Sequence, residues 1–230
     1  MSLSNFFSKY FTNYGDKRSL GFRFRQKRLA LFMPLIVDAY GAHGEVNIID
    51  IGGTKSYWKL LPDDILDKNN VHITIVNLPG SNLFEDEKHF RNVEADACNL
   101  SMFEDNSFHI AHSNSVIEHV GDWDRMKLFA SELRRLSKIY YVQTPNYWFP
   151  IEPHFMAPFF HWLPKPISAW WACHMALGNW PKANDIDGAI SMIESARLLN
   201  KSMFVYLFPE ADIKLERYFF WVKSLIAIKA

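Results

Sequence analysis

The feature that most constrains this chain is an alternation that begins at Val46. Short runs rich in β-branched residues take turns with segments of helical spacing. "VNIIDI" (46–51) reads as a strand and is followed by a short helix near 55–61. "VHITIVNL" (71–78), a run near 91–95 and "FHIAHSNS" (108–115) read as further strands. An amphipathic helix over 122–137 turns Met126, Phe129, Leu133 and Leu136 inward, and "KIYYVQT" (138–144) is a strand closed by Pro145. Strands separated by helices imply right-handed crossovers and a parallel sheet. The tail "ADIKLERYFFWVKSLIAIKA" (211–230) holds two strand-like runs with no helix-length gap, which predicts an antiparallel hairpin at the sheet edge. Ahead of the alternation, Leu29, Phe32, Met33, Ile36, Val37 and Tyr40 share helical spacing, and Pro34 predicts a kink or restart there.

A chain of 230 residues can bury one large core. The expectation is one domain, 1–230, with an N-terminal helical segment (1–44) and a lid or substrate insertion (146–185). Its 25 basic and 25 acidic residues balance, which argues against nucleic acid as a partner. Cys98 and Cys173 stand far apart with no CxxC pair, so neither a disulfide framework nor a thiolate metal site is expected, and a reducing cytoplasm fits. The apolar run 29–37 is too short and too charged in its flanks to be a secretory signal or a membrane span.

Chemistry is expected at the carboxyl ends of the strands, where open α/β sheets bind ligands. Gly52 and Gly53 end the first strand, where a missing Cβ lets a ligand lie against the main chain. The next residues, Thr54-Lys55-Ser56-Tyr57-Trp58, supply no third glycine, so a GxGxxG dinucleotide turn, and with it a nicotinamide-dependent dehydrogenase, is disfavoured. Asn77-Leu78 end the second strand, Asp96 follows the third in "EADACNL", and Ser113-Asn114-Ser115 end the fourth. Polar residues thus stand at the three strand ends that follow the glycine turn.

"NIIDIGGT", "EADACNL", "SNSVIEHVGDW" and "YYVQTPNYWFPIEPHF" resemble motifs of the class I S-adenosylmethionine-dependent methyltransferases, and most closely the type 11 subgroup. The likeness runs in order from about residue 20 to residue 228. It implies a Rossmann-like α/β fold: a seven-stranded, mostly parallel sheet with an antiparallel C-terminal hairpin, helices on both faces, and here an aromatic-rich lid after strand five. It implies S-adenosylmethionine as cofactor, with Asp50, Gly52, Gly53 and Thr54 around its methionine part. Asn77 and Leu78 fall at the ribose, Asp96, Ala97 and Cys98 at the adenine, and Asn114 and Ser115 at the fourth strand end. In such enzymes the ribose position is usually Asp or Glu, and Asn77 departs from that pattern.

A methyl acceptor must be aligned with the donor, and deprotonated if it is a hydroxyl. Glu118 and His119 follow the fourth strand, and His154 sits in the proline-stiffened "QTPNYWFPIEPHF"; these three are the catalytic candidates. Gln143, Asn146, Tyr147 and Glu152 are the candidates for holding substrate. Glu118, His119, Glu152 and His154 have side chains that suit a divalent metal, but nothing in their spacing demands one, and no metal is expected.

The expected activity is O-methylation of a small acceptor, a sugar or nucleotide-activated sugar in surface polysaccharide or natural-product assembly. The basic stretch 17–28, "KRSLGFRFRQKR", would then meet substrate phosphates through Arg23, Arg25 and Arg28. The alternatives are an N-methyltransferase acting on an amine or phosphoramidate, and a non-catalytic binding protein of the same fold. The missing Asn/Asp-Pro-Pro-Tyr/Phe tetrapeptide speaks against amide or nucleobase amino acceptors. Residues 147–180 are crowded with Trp, Phe and Tyr, with Glu152 the only acid and five prolines. This stretch reads as a lid packed inward over the cleft, or else as a dimer contact or a peripheral membrane contact of a cytoplasmic protein.

Overall fold

The computed structural model describes residues 18–62, 64–81, 84–178 and 180–230. Helix α1 (Leu20–His43) opens on Ser19, whose hydroxyl accepts from the Phe22 amide, and stops at Gly44, which takes a left-handed φ of 75°. It runs through Pro34 without a restart. The carbonyl that Pro34 cannot serve belongs to Ala30, on the exposed side, where water can reach it. Its buried face is Leu29, Phe32, Leu35, Ile36 and Ala39, so Val37 and Tyr40 point outward, contrary to the spacing argument. Lys17 and the rest of the N-terminal segment up to it lie outside the described residues.

The strands are β1 (Val46–Ile51), β2 (Val71–Asn77), β3 (Phe90–Glu94), β4 (Ile110–Asn114), β5 (Tyr140–Pro145), and the pair β8 (Asp212–Tyr218) and β9 (Trp221–Lys229). They form one sheet in the order β3-β2-β1-β4-β5-β9-β8. The first five are parallel, β9 runs antiparallel to β5, and β8 pairs antiparallel with β9. The chain moves outward from β1 to β3, then returns to lay β4 on the other side of β1. The crevice between the ends of β1 and β4 is therefore the switch point at which such sheets bind ligands.

Alternate residues of each strand feed opposite cores. On one face α1 and the short helix α2 (Lys55–Trp58) pack Phe32, Ile36 and Trp58 against Ile48, Ile73 and Tyr141. On the other, α4 (Trp123–Leu136) and α7 (Lys201–Leu207) pack Phe129, Leu133 and Phe204 against Ile49, Val76 and Val142. The short α3 (Ile65–Lys68) precedes β2. Asp122 caps α4 by accepting from the Arg125 amide.

After β5 the chain leaves the sheet. A small hairpin of β6 (Ile151–Glu152) and β7 (Ala157–Pro158), then α5 (Lys165–His174) and α6 (Ile186–Glu194), gather around a third apolar cluster that includes Phe155, Phe160, Ala169, Leu177 and Ala189. This lid reaches beyond residue 185, because α6 supplies part of its core. Its aromatics divide. Phe155 and Phe160 are buried, whereas Trp148, Phe159 and Trp170 are exposed. Among the described residues no helix is long and apolar enough to cross a membrane.

Candidate active site

The turn after β1 is built from the inside. Gly52 donates its amide to Val76 O at 2.7 Å and holds a φ of 73°. A Cβ there would lie 2.4 Å from a Val116 methyl. A Cβ on Gly53 would lie 1.6 Å from an Asp50 carboxylate oxygen. Both glycines therefore make room first for the protein itself. Asp50 is fully buried, accepting from Trp58 Nε1 and His112 Nδ1, each at 2.7 Å. Its carboxylate thus supports the turn from beneath. Asn77 Nδ2 donates to the Gly53 carbonyl at 3.0 Å, so an amide at this position ties the second strand end to the turn.

Three cavities meet here. One of about 300 Å³ is lined by Gly52, Asn77, Leu78, Asp96, Ala97 and His119 among others. A second, of about 180 Å³, is lined by Arg25, Asp50, Gly53, Thr54, Tyr57 and Asn114 among others. The third lies between α1, the end of β5 and the start of the lid, and includes Phe24, Gln143, Asn146, Phe149 and Lys223 in its wall. Ser115 lines all three. It sits at a left-handed φ of 58° and donates its hydroxyl to Gln143 Oε1 at 2.9 Å.

The first two cavities are lined by the residues at which the resemblance expects the cofactor, Asp50, Gly52, Gly53, Thr54, Asn77, Asp96 and Ala97. Asp96 presents a partly exposed carboxylate in the wall of the larger one, oriented by the Cys98 amide (3.0 Å) and by Arg125 Nη2 (2.8 and 2.9 Å). Those bonds hold the carboxyl below its usual range. Cys98 itself is buried, its thiol donating to Arg125 O at 3.3 Å, so it backs the loop without lining the cavity.

The third cavity contains what the sequence reading missed. Arg28, expected at a phosphate, is buried and saturated: Nε and Nη2 grip Glu216 at 2.9 and 2.6 Å, Nη1 donates to Asn114 and Gln143, and Nη2 also reaches Ser224. Arg23 faces a separate surface hollow beside Arg217 and Phe219. Lys223, only 21% exposed, stands 3.5 Å from Glu216 and 4.7 Å from the Phe24 ring centre. Burial, helped by the neighbouring Arg28 charge, pulls its ammonium down to about 8 against the pull of Glu216. Asn146 is 5% exposed; its Nδ2 donates to Val222 O, while Oδ1 finds no hydrogen-bond partner among the described residues.

Of the remaining candidates, Tyr147 and Glu152 line a separate cavity under the lid. The Tyr147 carbonyl accepts from His161 and Trp162. Glu152 accepts from the His154 and Phe155 amides and from His154 Nδ1. Glu118, His119 and His154 do come together, at the lid side of the nucleoside cavity. Glu118 Oε2 accepts from Thr144 at 2.9 Å, and burial pushes its carboxyl up.

Residues 61–139 match the model of a methyltransferase domain. A search of curated proteins finds no match. Among solved structures, a S-adenosylmethionine-dependent methyltransferase from Archaeoglobus fulgidus is 14% identical, with 99% of this chain and 100% of that one covered at a TM-score of 0.52. An O-methyltransferase family protein from Burkholderia thailandensis is 12% identical at a TM-score of 0.48, and the match covers 90% of this chain but 58% of that one. A methyltransferase from Methanosarcina mazei is 16% identical, with 80% and 92% covered at a TM-score of 0.47. The Archaeoglobus likeness covers the whole sheet and carries the fold. Residues 61–139 thus resemble a methyltransferase domain, and the chain as a whole shares the fold of an S-adenosylmethionine-dependent methyltransferase.

Proposed function

We propose that the chain methylates a hydroxyl of a small polar acceptor, a sugar or similar polyol, bound in the cavity between α1, β5 and the lid. The observation that carries this reading is the shared wall at Ser115, with donor cavities on one side and Asn146, Gln143 and Lys223 on the other. When bound, S-adenosylmethionine supplies an electrophilic methyl on a sulfonium. Asp96 and Asn77 would hold its nucleoside, and the turn at Gly52 and Gly53 with Thr54 its methionine part.

The chain's own work is to place and deprotonate the acceptor. Asn146 Oδ1, buried and unpartnered, needs a donor, and a hydroxyl offers one. Phe24 and Phe149 supply apolar faces for a ring. Lys223 in its neutral form takes the proton, the role to which a buried lysine tuned near 8 is suited. The cavity holds about 80 Å³, room for the reacting end of an acceptor. In a nucleotide-activated sugar the nucleotide would therefore stay outside, towards Arg25.

A tritiated-methyl transfer screen against sugars, polyols and amines tests the proposal. Label should appear on a hydroxyl and vanish in Lys223→Met. Transfer to an amine that survives Lys223→Met overturns it, because a neutral amine needs no base.

A further inference from the structure

Two imidazoles on the lid side of the nucleoside cavity, His119 and His154, face each other. His119 Nδ1 lies 2.9 Å from the Ser195 carbonyl oxygen, which can only accept, so that nitrogen carries the proton. His154 Nδ1 lies 2.7 Å from Glu152 Oε1, and the carboxylate fixes the same tautomer. With Nδ1 so engaged, each ring turns Nε2 outward, and the two Nε2 atoms are 3.0 Å apart. Two lone pairs at that distance repel unless something positive lies between them. A third donor waits beside them: Glu118 is 1% exposed, its Oε2 is taken by Thr144, and its Oε1 has no hydrogen-bond partner among the described residues. One ligand atom from each of Glu118, His119 and His154 lies within 4.8 Å of the others.

We propose that Glu118, His119 and His154 bind a divalent transition-metal cation, with zinc the best match to the donor set. Two imidazole nitrogens and one carboxylate oxygen suit zinc and its neighbours, whereas magnesium and calcium prefer oxygen throughout. Zinc–nitrogen bonds of ~2.0–2.1 Å in tetrahedral array set two nitrogens about 3.3 Å apart, close to the 3.0 Å spacing found. The outer shell is already built. Glu152 and the Ser195 carbonyl orient the two rings through their Nδ1 protons, the arrangement that supports metal-ligating histidines elsewhere. Three protein donors leave a coordination position open to water or another small ligand.

The placement gives the cation a task. His119 belongs to the short turn of helix after β4 and lines the nucleoside cavity, while His154 belongs to the lid. A metal joining them pins the lid to the rim of the donor site. The site stands on its own geometry and is independent of the acceptor assigned above.

The test is direct titration of the full, untagged, chelator-dialysed chain with Co²⁺ and Zn²⁺, followed by calorimetry and by the visible absorption of bound Co²⁺. One equivalent should bind, with the absorption of a four-coordinate nitrogen–oxygen site, and excess Mg²⁺ should not compete. His119→Ala, whose ring is exposed and whose loss should spare the fold, and His154→Ala should each weaken binding by ~100-fold or more. Glu118→Gln, which keeps an oxygen for Thr144, should weaken it as well. His174→Ala, an exposed histidine on α5, should change nothing. Failure of the wild-type chain to take up either metal, or uptake undiminished in both His119→Ala and His154→Ala, overturns the proposal and leaves a shared proton between the rings.

Discussion

Gly53 and Asp50 contend for one volume: a Cβ on the glycine would lie 1.6 Å from the carboxylate that bridges Trp58 and His112. Gly53→Ala must therefore push Asp50 off both partners inside a fully buried pocket. Each is a charge-assisted bond, and their loss should destabilise the fold by about 3 kcal/mol. Gly52→Ala meets a different obstacle, the Val116 methyls. Urea midpoints should show Val116→Ala partly rescuing Gly52→Ala and leaving Gly53→Ala unrelieved.

Asn77 also behaves differently from the acid usually found at its position. An Asp there would set a carboxylate oxygen against the Gly53 carbonyl, where Asn77 now donates at 3.0 Å. Asn77→Asp should therefore weaken S-adenosylmethionine binding, by ~10-fold if the turn shifts by roughly the energy of one hydrogen bond. Calorimetry decides this. Tighter binding by the Asp variant would show that the ribose contact outweighs the turn.

Glu216 links stability to acid. Burial pushes its carboxyl up, but the Arg28 charge and hydrogen bonds more than offset this and hold it at about 2, against an ordinary 4.5. A folded value below the unfolded one adds stability above pH 4.5 and withdraws it as pH falls towards 2. The contribution at neutral pH is about 3 kcal/mol. Chemical denaturation should show the wild-type chain losing this amount over that window. Glu216→Ala should lose ~3–5 kcal/mol already at pH 7, because Arg28 is left buried and unpaired, and its acid slope should flatten.

For a hydroxyl acceptor, kcat/KM should rise about tenfold per pH unit and level off near 8, where Lys223 loses its proton. Lys223→Met should erase that limb and lower the rate by ~10²–10⁴-fold, leaving cofactor affinity unchanged. A pH profile that keeps its limb in the variant assigns the proton to another group.

The sheet was legible because each strand ends in punctuation, a glycine pair, a polar turn or a proline, and because helical spacing separates β4 from β5. The cavity walls were harder to read. Lys223 and Glu216 sit in a hairpin whose alternation announced only a strand, and nothing local tells that Arg28, 188 positions from Glu216, will meet it. Tyr147 and Glu152 followed the fifth strand as substrate residues should, yet the chain turns into the lid at once and takes them away from the third cavity. Neither did the spacing of His119 and His154 reveal their meeting, since 35 positions, α4, β5 and β6 separate them.

The grip of Arg28 on Glu216 also fixes an order of assembly. The residues lining the nucleoside cavity run from Gly52 to Arg125, so all are in place long before the hairpin is synthesised. The proposed acceptor pocket is completed only when β8 and β9 bring a counter-charge to the guanidinium of α1. A nascent polypeptide lacking those two strands carries every residue that lines the nucleoside cavity but has neither Lys223 nor the partner of Arg28.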